Sequence, residues 1–282
     1  MNDLKTQAEV TWCPGCGNTE ILNSALAVIG EIIAEGFPRE KIIIVSGIGN
    51  HAKIVDYLQL NSFNSLHGRG IPAAEAIKIA DPDCKVICFA GDGDTYAEGL
   101  EHLIFAAKRN IDITVILHNN RTYGLATGQF TPTSQTDLKG STMPFGAKEN
   151  AFNPLELLIS SGATYIARGY PPKKEHFRKL MKEAILHRGF AFLDVLQVCV
   201  TFNNLYAFYN KHVVEADTFD PTSRQQALES ITAWDYRSLD GPIPIGRFYA
   251  VSLPTHEGNY PARKVEQHQR ETVLNELWIK MK

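Results

Sequence analysis

The chain has 282 residues, of which 28 are basic and 31 acidic, so its formal net charge is −3. The sequence has no cluster of Lys and Arg of the kind that binding to nucleic acid would need. The first ten residues lack the basic start and apolar core of a signal peptide, and no apolar run approaches the roughly 18 residues of a membrane span. We therefore expect a cytoplasmic protein with neither nucleic acid nor a membrane as its partner.

Two of the five cysteines stand near the start, in the stretch TWCPGCGNTE. An odd cysteine count without a secretory signal favours metal binding, catalysis or burial over a disulfide framework. Cys13 and Cys16 could form half of a zinc ribbon, but no second close pair of Cys or His follows at the usual spacing. A helix is predicted over residues 19–36, because apolar residues recur every three or four positions and Gly36 precedes Pro38.

Strands and helices alternate through the next part of the chain. Three continuously apolar runs are typical of buried strands in a parallel sheet: 41–47, 85–91 and 111–119. Between the last two, apolar residues from Tyr96 to Ala107 share one helical face, which predicts a β-α-β unit. The alternation continues with helices at 154–161 and 173–188 and with strands at 164–169 and 191–198. The pattern predicts an α/β fold with a doubly wound, mostly parallel sheet.

The periodicity fades beyond Cys199, where the segment DGPIPIGRFYAVSLPTHEGNYPARK is rich in Pro and Gly. We expect a main α/β domain over residues 1–200, and a C-terminal extension over 201–282 that forms an irregular arm packed on the main domain or on a partner subunit. The stretch 121–150 is predicted to be a long loop, and loops of that length in a compact domain are usually functional.

The sequence AGDGD, at residues 90–94, follows a predicted buried strand and precedes a helix. This places Asp92 in the crevice beyond the carboxyl end of a parallel sheet, where α/β proteins bind ligands. The glycines beside it allow backbone N–H groups to approach an anion at a helix N-terminus, which indicates a phosphate site. Because the carboxylate would repel phosphate, a divalent cation such as magnesium is expected between them. A simple turn after a strand is the structural alternative.

The following strand ends in HNNRTYG, so Asn119 and Asn120 lie at the adjacent sheet edge. Asn120 can give an amide oxygen, and Thr122 a backbone carbonyl, to the ion that Asp92 binds. The order Gly-Asp-Gly, helix, strand and Asn-Asn resembles the diphosphate-binding motif of thiamine diphosphate enzymes. Capping of a strand and turn is the alternative for the Asn pair.

Further motifs along nearly the whole chain narrow this resemblance. They are WCPGCG near the start, SGIG at 46–49, LHGR at 66–69, GDGD at 91–94, NNRTYGLATGQFTPTS at 119–134, CVTFN at 199–203 and PIGRFY at 244–249. With these motifs the chain resembles the β subunit of 2-oxoacid:ferredoxin oxidoreductases, which includes the pyruvate and 2-oxoglutarate enzymes. The resemblance implies a thiamine diphosphate-binding fold and oxidative decarboxylation of a 2-oxoacid to acyl-coenzyme A, with electrons passed to ferredoxin.

The resemblance also implies roles for particular residues. Magnesium would be bound by Asp92, Asn120 and the Thr122 carbonyl, and His67 would be the catalytic candidate that faces the thiamine. The full set implied for the cofactor is Ile48, Gly49, His67, Gly91, Asp92, Gly93, Asp94, Asn120, Thr122, Gly124 and Leu125. The carboxylate that activates the aminopyrimidine ring, and the substrate-binding Arg and Thr, resemble residues of the companion α subunit. This chain is therefore expected to need that subunit as a partner, together with coenzyme A and ferredoxin.

In the family a [4Fe–4S] cluster uses the first Cys pair, a Cys directly after GIG, and the Cys of CVTFN. Here Cys13, Cys16 and Cys199 are present, but the remaining place is Asn50, followed by His51. The prediction is a cluster held by three thiolates, with Asn50 or His51 as a candidate fourth ligand; loss of the cluster or zinc binding is the alternative. Two other cysteines, Cys84 and Cys88, are expected in the core.

Two further functions stay open on the sequence. The missing fourth cysteine makes a non-redox thiamine decarboxylase or carboligase conceivable, and a non-catalytic iron–sulfur or zinc-binding interaction module is a third possibility. For the substrate, family members that use 2-oxoglutarate often carry Lys in the loop after the Asn pair, whereas pyruvate-type members often carry Gly. Thr127 stands at that place, which favours a monocarboxylic 2-oxoacid such as pyruvate.

Overall fold

One mixed sheet organises the part of the chain that the computed structural model describes, which is residues 4–140, 143–259, 276, 278 and 279. Within these ranges eight strands form: β1 (Ile42–Ser46), β2 (Asn61–Asn64), β3 (Lys85–Gly91), β4 (Ile113–Asn119), β5 (Tyr165–Gly169), β6 (Ala191–Leu196), β7 (Val213–Glu215) and β8 (Ile243–Ala250). Their order is β2-β1-β3-β4-β6-β5-β8-β7, and every adjacent pair is parallel except β5 with β8. The mostly parallel sheet predicted from the sequence is confirmed.

Helices cover both faces of this sheet. In chain order they are α1 (Gly17–Ala34), α2 (Ile54–Tyr57), α3 (Gly70–Ala80), α4 (Asp92–Tyr96), α5 (Leu100–Arg109), α6 (Pro154–Ser161), α7 (Lys174–Leu186), α8 (Tyr206–His212) and α9 (Arg224–Thr232). One core lies under α1, α2 and α7, and a second lies under α3, α5, α6 and α9. Burial on both faces explains why the central strands are continuously apolar, and it confirms the doubly wound arrangement. Cys84 and Cys88 are buried in the second core, as expected.

The helix predicted between β3 and β4 is interrupted. Tyr96 is the last residue of α4, and α5 starts only after a three-residue break. The break packs against the LHGR loop: Arg69 Nη1 donates a hydrogen bond to the Glu98 carbonyl at 2.6 Å. A Cβ on Gly99 would lie 2.3 Å from the carbonyl oxygen of Gly68. The interruption therefore comes from a contact with a distant part of the chain, which helical periodicity does not reveal.

The C-terminal region holds more regular structure than the predicted irregular arm, because α8, β7, α9 and β8 all lie within it. The segment of β8 that pairs with β5 includes Gly246, which adopts φ +152°. Pro244 lies outside the segment that pairs with β5. Residues 251–259 contain only one short 3-10 turn. The region contributes β7 and β8 to the main sheet. A division into two domains at residue 200 stays a prediction, and most of 260–282 lies outside the described residues.

No helix within the described ranges combines the length and the apolar content needed to cross a bilayer.

Candidate functional site

A crevice beyond the carboxyl ends of β1, β3 and β4 forms the candidate site. From β1 the chain passes to β2 on one side and then to β3 and β4 on the other, so the strand order reverses between β1 and β3. Open α/β sheets bind ligands at such a switch point. A cavity of about 250 Å³ lies here, and its lining includes the complete set proposed from the sequence for the cofactor: Ile48, Gly49, His67, Gly91, Asp92, Gly93, Asp94, Asn120, Thr122, Gly124 and Leu125. Asn50, His51, His118, Tyr123 and Ala126 line it as well.

Asp92 begins α4 directly after β3, and only 3% of its surface is exposed. Its Oδ2 accepts hydrogen bonds from the hydroxyls of Thr131 at 2.6 Å and Thr133 at 3.0 Å. Burial raises the pKa of Asp92 to about 6, and the two hydroxyls oppose this rise only in part. A nearby cation would favour the ionised carboxylate and offset the cost of its burial.

Asn120 and Thr122 form a tight turn that follows β4. The Asn120 side-chain oxygen accepts a hydrogen bond from the backbone N–H of Thr122 at 3.0 Å, and Arg121 between them adopts φ +59°. The turn and Asp92 line the same cavity. Carboxylate, amide and carbonyl oxygens are the ligands that magnesium prefers in proteins, so the donor set fits the ion proposed from the sequence.

Gly91 and Gly93 occupy positions where a side chain would collide with the site. A Cβ on Gly93 would lie 2.2 Å from the Tyr123 ring, and a Cβ on Gly91 would lie 2.7 Å from His51 Nδ1. The two glycines therefore allow the rings of Tyr123 and His51, which also line the cavity, to pack directly on the backbone of this turn. The helix that follows has only five residues, so it contributes less to anion binding than the long helix predicted there.

Asp94 connects the loops that carry Ile48 and His67. Its Oδ1 accepts hydrogen bonds from the backbone N–H groups of Ile48 at 3.1 Å and Gly68 at 2.8 Å. Its two oxygens also lie 3.6 Å from His51 Nε2 and 3.7 Å from His67 Nδ1. Burial acts to raise the pKa of Asp94, but His51 and the backbone donors outweigh it, so the net shift is downward. Asp94 is therefore ionised and orders the loops around the cavity.

Two buried imidazoles that do not belong to the cofactor set predicted from the sequence also line the cavity. His118, in β4, pairs its Nδ1 with the Asn18 side-chain oxygen at 2.8 Å, and burial lowers its pKa well below the usual value. Among the residues that the structure describes, the Nε2 atoms of His51 and His118 have no hydrogen-bond partner. Because the His51 ring lies beside Asp94 in this cavity, the structure does not favour His51 as the fourth ligand of an iron–sulfur cluster.

The loop that carries Cys13 and Cys16 lies against the segment around Cys199, because the Gly17 N–H donates to the Val198 carbonyl at 3.1 Å and the Thr201 hydroxyl lies 3.5 Å from Cys13 Sγ. The pKa of the Cys16 thiol is raised to about 11, chiefly by burial and to a smaller extent by Cys199 and Cys13. A Cβ on Gly124 would lie 3.4 Å from Asn50 Nδ2 and 3.8 Å from Cys199 Sγ, so the amide occupies the neighbourhood of the third family position. Among the described residues, no group of three or more His, Cys, Asp or Glu is arranged to hold a metal ion. These residues therefore do not fit a complete four-ligand cluster site.

A buried network connects the site to the C-terminal region. Asn119 Nδ2 donates to Asp194 Oδ1 at 3.0 Å, and Arg168 Nε donates to Asp194 Oδ2 at 3.1 Å. The Tyr236 hydroxyl donates to the same Oδ2 at 2.6 Å. Arg121, in the turn after β4, donates through Nη2 to the Tyr236 carbonyl. Sequence reasoning missed this network because its members are far apart along the chain.

Two family models match consecutive parts of the chain. The model described as the C-terminal TPP-binding domain of thiamine pyrophosphate enzymes matches residues 47–195, which include the whole lining of the cavity. The model described as the C-terminal part of the pyruvate ferredoxin oxidoreductase β subunit matches residues 199–264.

Individual relatives agree with these models. A 2-oxoacid:ferredoxin oxidoreductase β subunit from a Sulfolobus species is 40% identical over 258 residues, which cover 87% of this chain and 84% of the relative. A 2-oxoglutarate synthase subunit from Methanocaldococcus jannaschii is 36% identical over 244 residues, covering 86% of this chain and 88% of the relative.

Among solved structures, the 2-oxoglutarate:ferredoxin oxidoreductase from Magnetococcus marinus, with 2-oxoglutarate, coenzyme A and succinyl-CoA bound, matches with a TM-score of 0.87 and 30% identity. The match covers 96% of this chain and 94% of that one. The fold, the cavity and these similarities show that the chain belongs to the β-subunit family of the thiamine diphosphate-dependent 2-oxoacid:ferredoxin oxidoreductases.

Proposed function

We propose that this β subunit binds thiamine diphosphate through magnesium and, with an α subunit, oxidatively decarboxylates a 2-oxoacid to acyl-coenzyme A and CO2 while ferredoxin accepts the electrons. The observation that carries the proposal is the convergence of the complete sequence-derived cofactor set on one cavity at the switch point of the sheet. A non-redox thiamine decarboxylase is the second candidate, because Asn50 replaces one cysteine of the family pattern.

Each part of the cavity has a distinct task in this proposal. Asp92, Asn120 and the Thr122 carbonyl would hold magnesium, and the backbone at Gly91 and Gly93 would accept the diphosphate. When bound, thiamine diphosphate supplies the electron sink for cleavage of the bond beside the 2-oxo group. Ile48, Gly49, His67, Gly124 and Leu125 would surround the ring system of the cofactor.

The α subunit would complete the site from the open side of the cavity. The His67 side chain is 38% exposed and Leu125 is 63% exposed, so both are available to a partner at the mouth. Asp92 and Asp94 are the carboxylates among the described residues of the cavity lining. Both already serve other contacts, Asp92 with Thr131 and Asp94 with the Gly68 N–H. This is consistent with the resemblance to the family, which assigns the carboxylate that the aminopyrimidine ring requires to the α subunit.

For the substrate, we propose a monocarboxylic 2-oxoacid such as pyruvate. Within the described residues, the cavity lining contains neither Lys nor Arg that could meet a second carboxylate. We expect the α/β complex to reduce a viologen dye with pyruvate and coenzyme A, at a higher kcat/KM than with 2-oxoglutarate. Thr127→Lys should raise kcat/KM for 2-oxoglutarate by about one to two orders of magnitude, since a charged hydrogen bond contributes roughly 1.5 to 3 kcal/mol.

Thr127 suits this test because it is exposed and its φ is already +62°, so lysine adds length and charge without a new backbone demand. Thr127→Gln is the uncharged control. A clear preference of the parent complex for 2-oxoglutarate would contradict the proposed substrate. Decarboxylation without dye reduction, in a complex that binds thiamine diphosphate, would favour the non-redox enzyme instead.

We also propose that Cys13, Cys16 and Cys199 hold a [4Fe–4S] cluster, with Asn50 in place of a fourth thiolate; the described residues do not yet form such a site, so the three thiols would have to move closer together around the cluster. Contacts between the two cysteine-bearing segments support this proposal: the Gly17 N–H donates to the Val198 carbonyl at 3.1 Å, and the Thr201 hydroxyl lies 3.5 Å from Cys13 Sγ. After anaerobic purification of the α/β complex, Cys199→Ser should lower the iron and acid-labile sulfide content relative to the parent. Asn50→Cys should supply a fourth thiolate and lower the reduction potential, because replacing a neutral ligand by a thiolate makes the site more negative.

Cys84→Ser is the control for this experiment, since that thiol is buried in the core and should not affect the iron content. Electron paramagnetic resonance after dithionite reduction reports the cluster itself. Stoichiometric zinc, or an iron content unchanged by Cys199→Ser, would contradict the proposed ligands.

A further inference from the structure

The end of the motif NNRTYGLATGQFTPTS has no role in the cofactor set described so far. Its loop folds back on its own start: the Tyr123 N–H donates to the Gln129 carbonyl at 2.8 Å, and the Ser134 hydroxyl donates to the Arg121 carbonyl at 2.5 Å. These bonds place the TPTS segment, residues 131–134, beneath the carboxylate of Asp92.

Both hydroxyls of this segment that reach Asp92 donate to the same atom. Thr131 Oγ1 lies 2.6 Å and Thr133 Oγ1 lies 3.0 Å from Oδ2, and all three residues are at least 97% buried. We propose that Thr131 and Thr133 are positioning residues that bind one carboxylate oxygen of Asp92 and thereby direct the other towards the cation in the cavity. The inference rests on the proposed magnesium site and adds the residues that orient its charged ligand.

The two threonines do not contribute equally. Thr133 has one hydroxyl proton and two acceptors at the same distance of 3.0 Å, Asp92 Oδ2 and the side-chain oxygen of Asn119. Asn119 is itself fixed, because its amide nitrogen donates to the buried Asp194. Thr131 makes the shorter bond to Asp92, and its other hydroxyl contacts, to Thr133 and Ser134, are longer at 3.3 Å. Thr131 is therefore the principal donor, and Thr133 divides its proton between two acceptors.

The test uses the α/β complex, with thiamine diphosphate titrated by calorimetry at several magnesium concentrations. Thr131→Val removes the hydroxyl at nearly constant volume and should weaken binding at least about tenfold, as is usual when the partner of a metal ligand is lost. Thr133→Val should have a smaller effect. Thr131→Ser keeps a hydroxyl and should restore affinity to within about threefold of the parent, since the donor to Oδ2 is retained.

A positioning role also predicts a specific dependence on the metal. Raising the magnesium concentration should recover part of the affinity that Thr131→Val loses, because the defect lies in the orientation of a magnesium ligand; a general disturbance of the fold would not respond. Thr114→Val is the matched control: this threonine is 5% exposed, donates to the Ala184 carbonyl at 3.1 Å, and lies at the opposite end of β4 from the site.

Parent-like binding by Thr131→Val would overturn the inference, and so would a Thr131→Ser complex that binds as weakly as Thr131→Val. If Thr131→Val does not fold, parent-like binding by Thr133→Val together with a defective Thr131→Ser complex would overturn it. Failure of the parent complex to bind thiamine diphosphate at any magnesium concentration would instead reject the proposed magnesium site, and the positioning role with it.

Discussion

Asp92→Ala is expected to abolish measurable binding of thiamine diphosphate and magnesium to the α/β complex, with a loss of more than about 100-fold in affinity. Loss of an outer partner alone typically costs 10- to 100-fold, and Asp92 is the one charged protein ligand assigned to the ion. Without its carboxylate, the diphosphate would face an undercoordinated cation. Calorimetry with magnesium present measures the effect directly.

The same carboxylate sets the pH dependence of binding. Burial raises the pKa of Asp92 to about 6, so its carboxyl takes up a proton as the pH falls through that value and loses the charge that binds the cation. Affinity in the parent should therefore fall below about pH 6. Asp83→Ala, which removes an exposed carboxylate before β3, is the control and should bind normally. Tight binding by Asp92→Ala would show that the cation is held elsewhere.

Arg168→Met is expected to destabilise the protein by about 3 to 5 kcal/mol, because it leaves the buried Asp194 charge without its partner. Both side chains of this pair have 0% exposure. Arg168 also donates to the Pro244 carbonyl at 3.3 Å and to the Tyr236 hydroxyl at 3.1 Å, so the C-terminal region would lose contacts as well. Urea unfolding of the complex and of the isolated subunit measures the loss.

Two variants make this result interpretable. Lys148→Met breaks an ion pair whose side chains are 70% and 64% exposed, and it should change stability little, since solvent screens such a pair. Arg168→Met combined with Asp194→Leu should be less destabilising than Arg168→Met alone, because the carboxylate that loses its partner is removed as well. Equal destabilisation by Arg168→Met and Lys148→Met would contradict the assigned role of the buried pair.

The central strands were predictable because they are buried on both faces of the sheet, so each of them is a continuous run of apolar residues. β3 has the predicted bounds, and β4 begins two residues after its predicted start. β2, with the sequence NSFN, was missed since all four residues are exposed and only the pairing with β1 makes it a strand. β8 was missed because Pro244 and Gly246 signal a loop locally, while β5 and β7 on either side hold it in the sheet.

The cofactor residues were predictable because they lie in short motifs that end strands: Asp92 after β3, and Asn120 after β4. Their supports were less accessible to sequence reasoning. Thr131 and Thr133 belong to the motif NNRTYGLATGQFTPTS, but the sequence does not reveal that this loop folds back and brings their hydroxyls to Asp92. Asn119 and Asp194 are 75 positions apart, and no local pattern connects them.

The hydrogen bond from Arg121 to the Tyr236 carbonyl has a consequence for the order of events during synthesis. Arg121 stands between Asn120 and Thr122 in the turn that shapes the cavity, yet its acceptor belongs to a residue translated more than a hundred positions later. While the ribosome is still adding that interval, the nascent chain lacks one of the hydrogen bonds that hold this turn. The turn therefore acquires its full set of hydrogen bonds only after Tyr236 has left the ribosome.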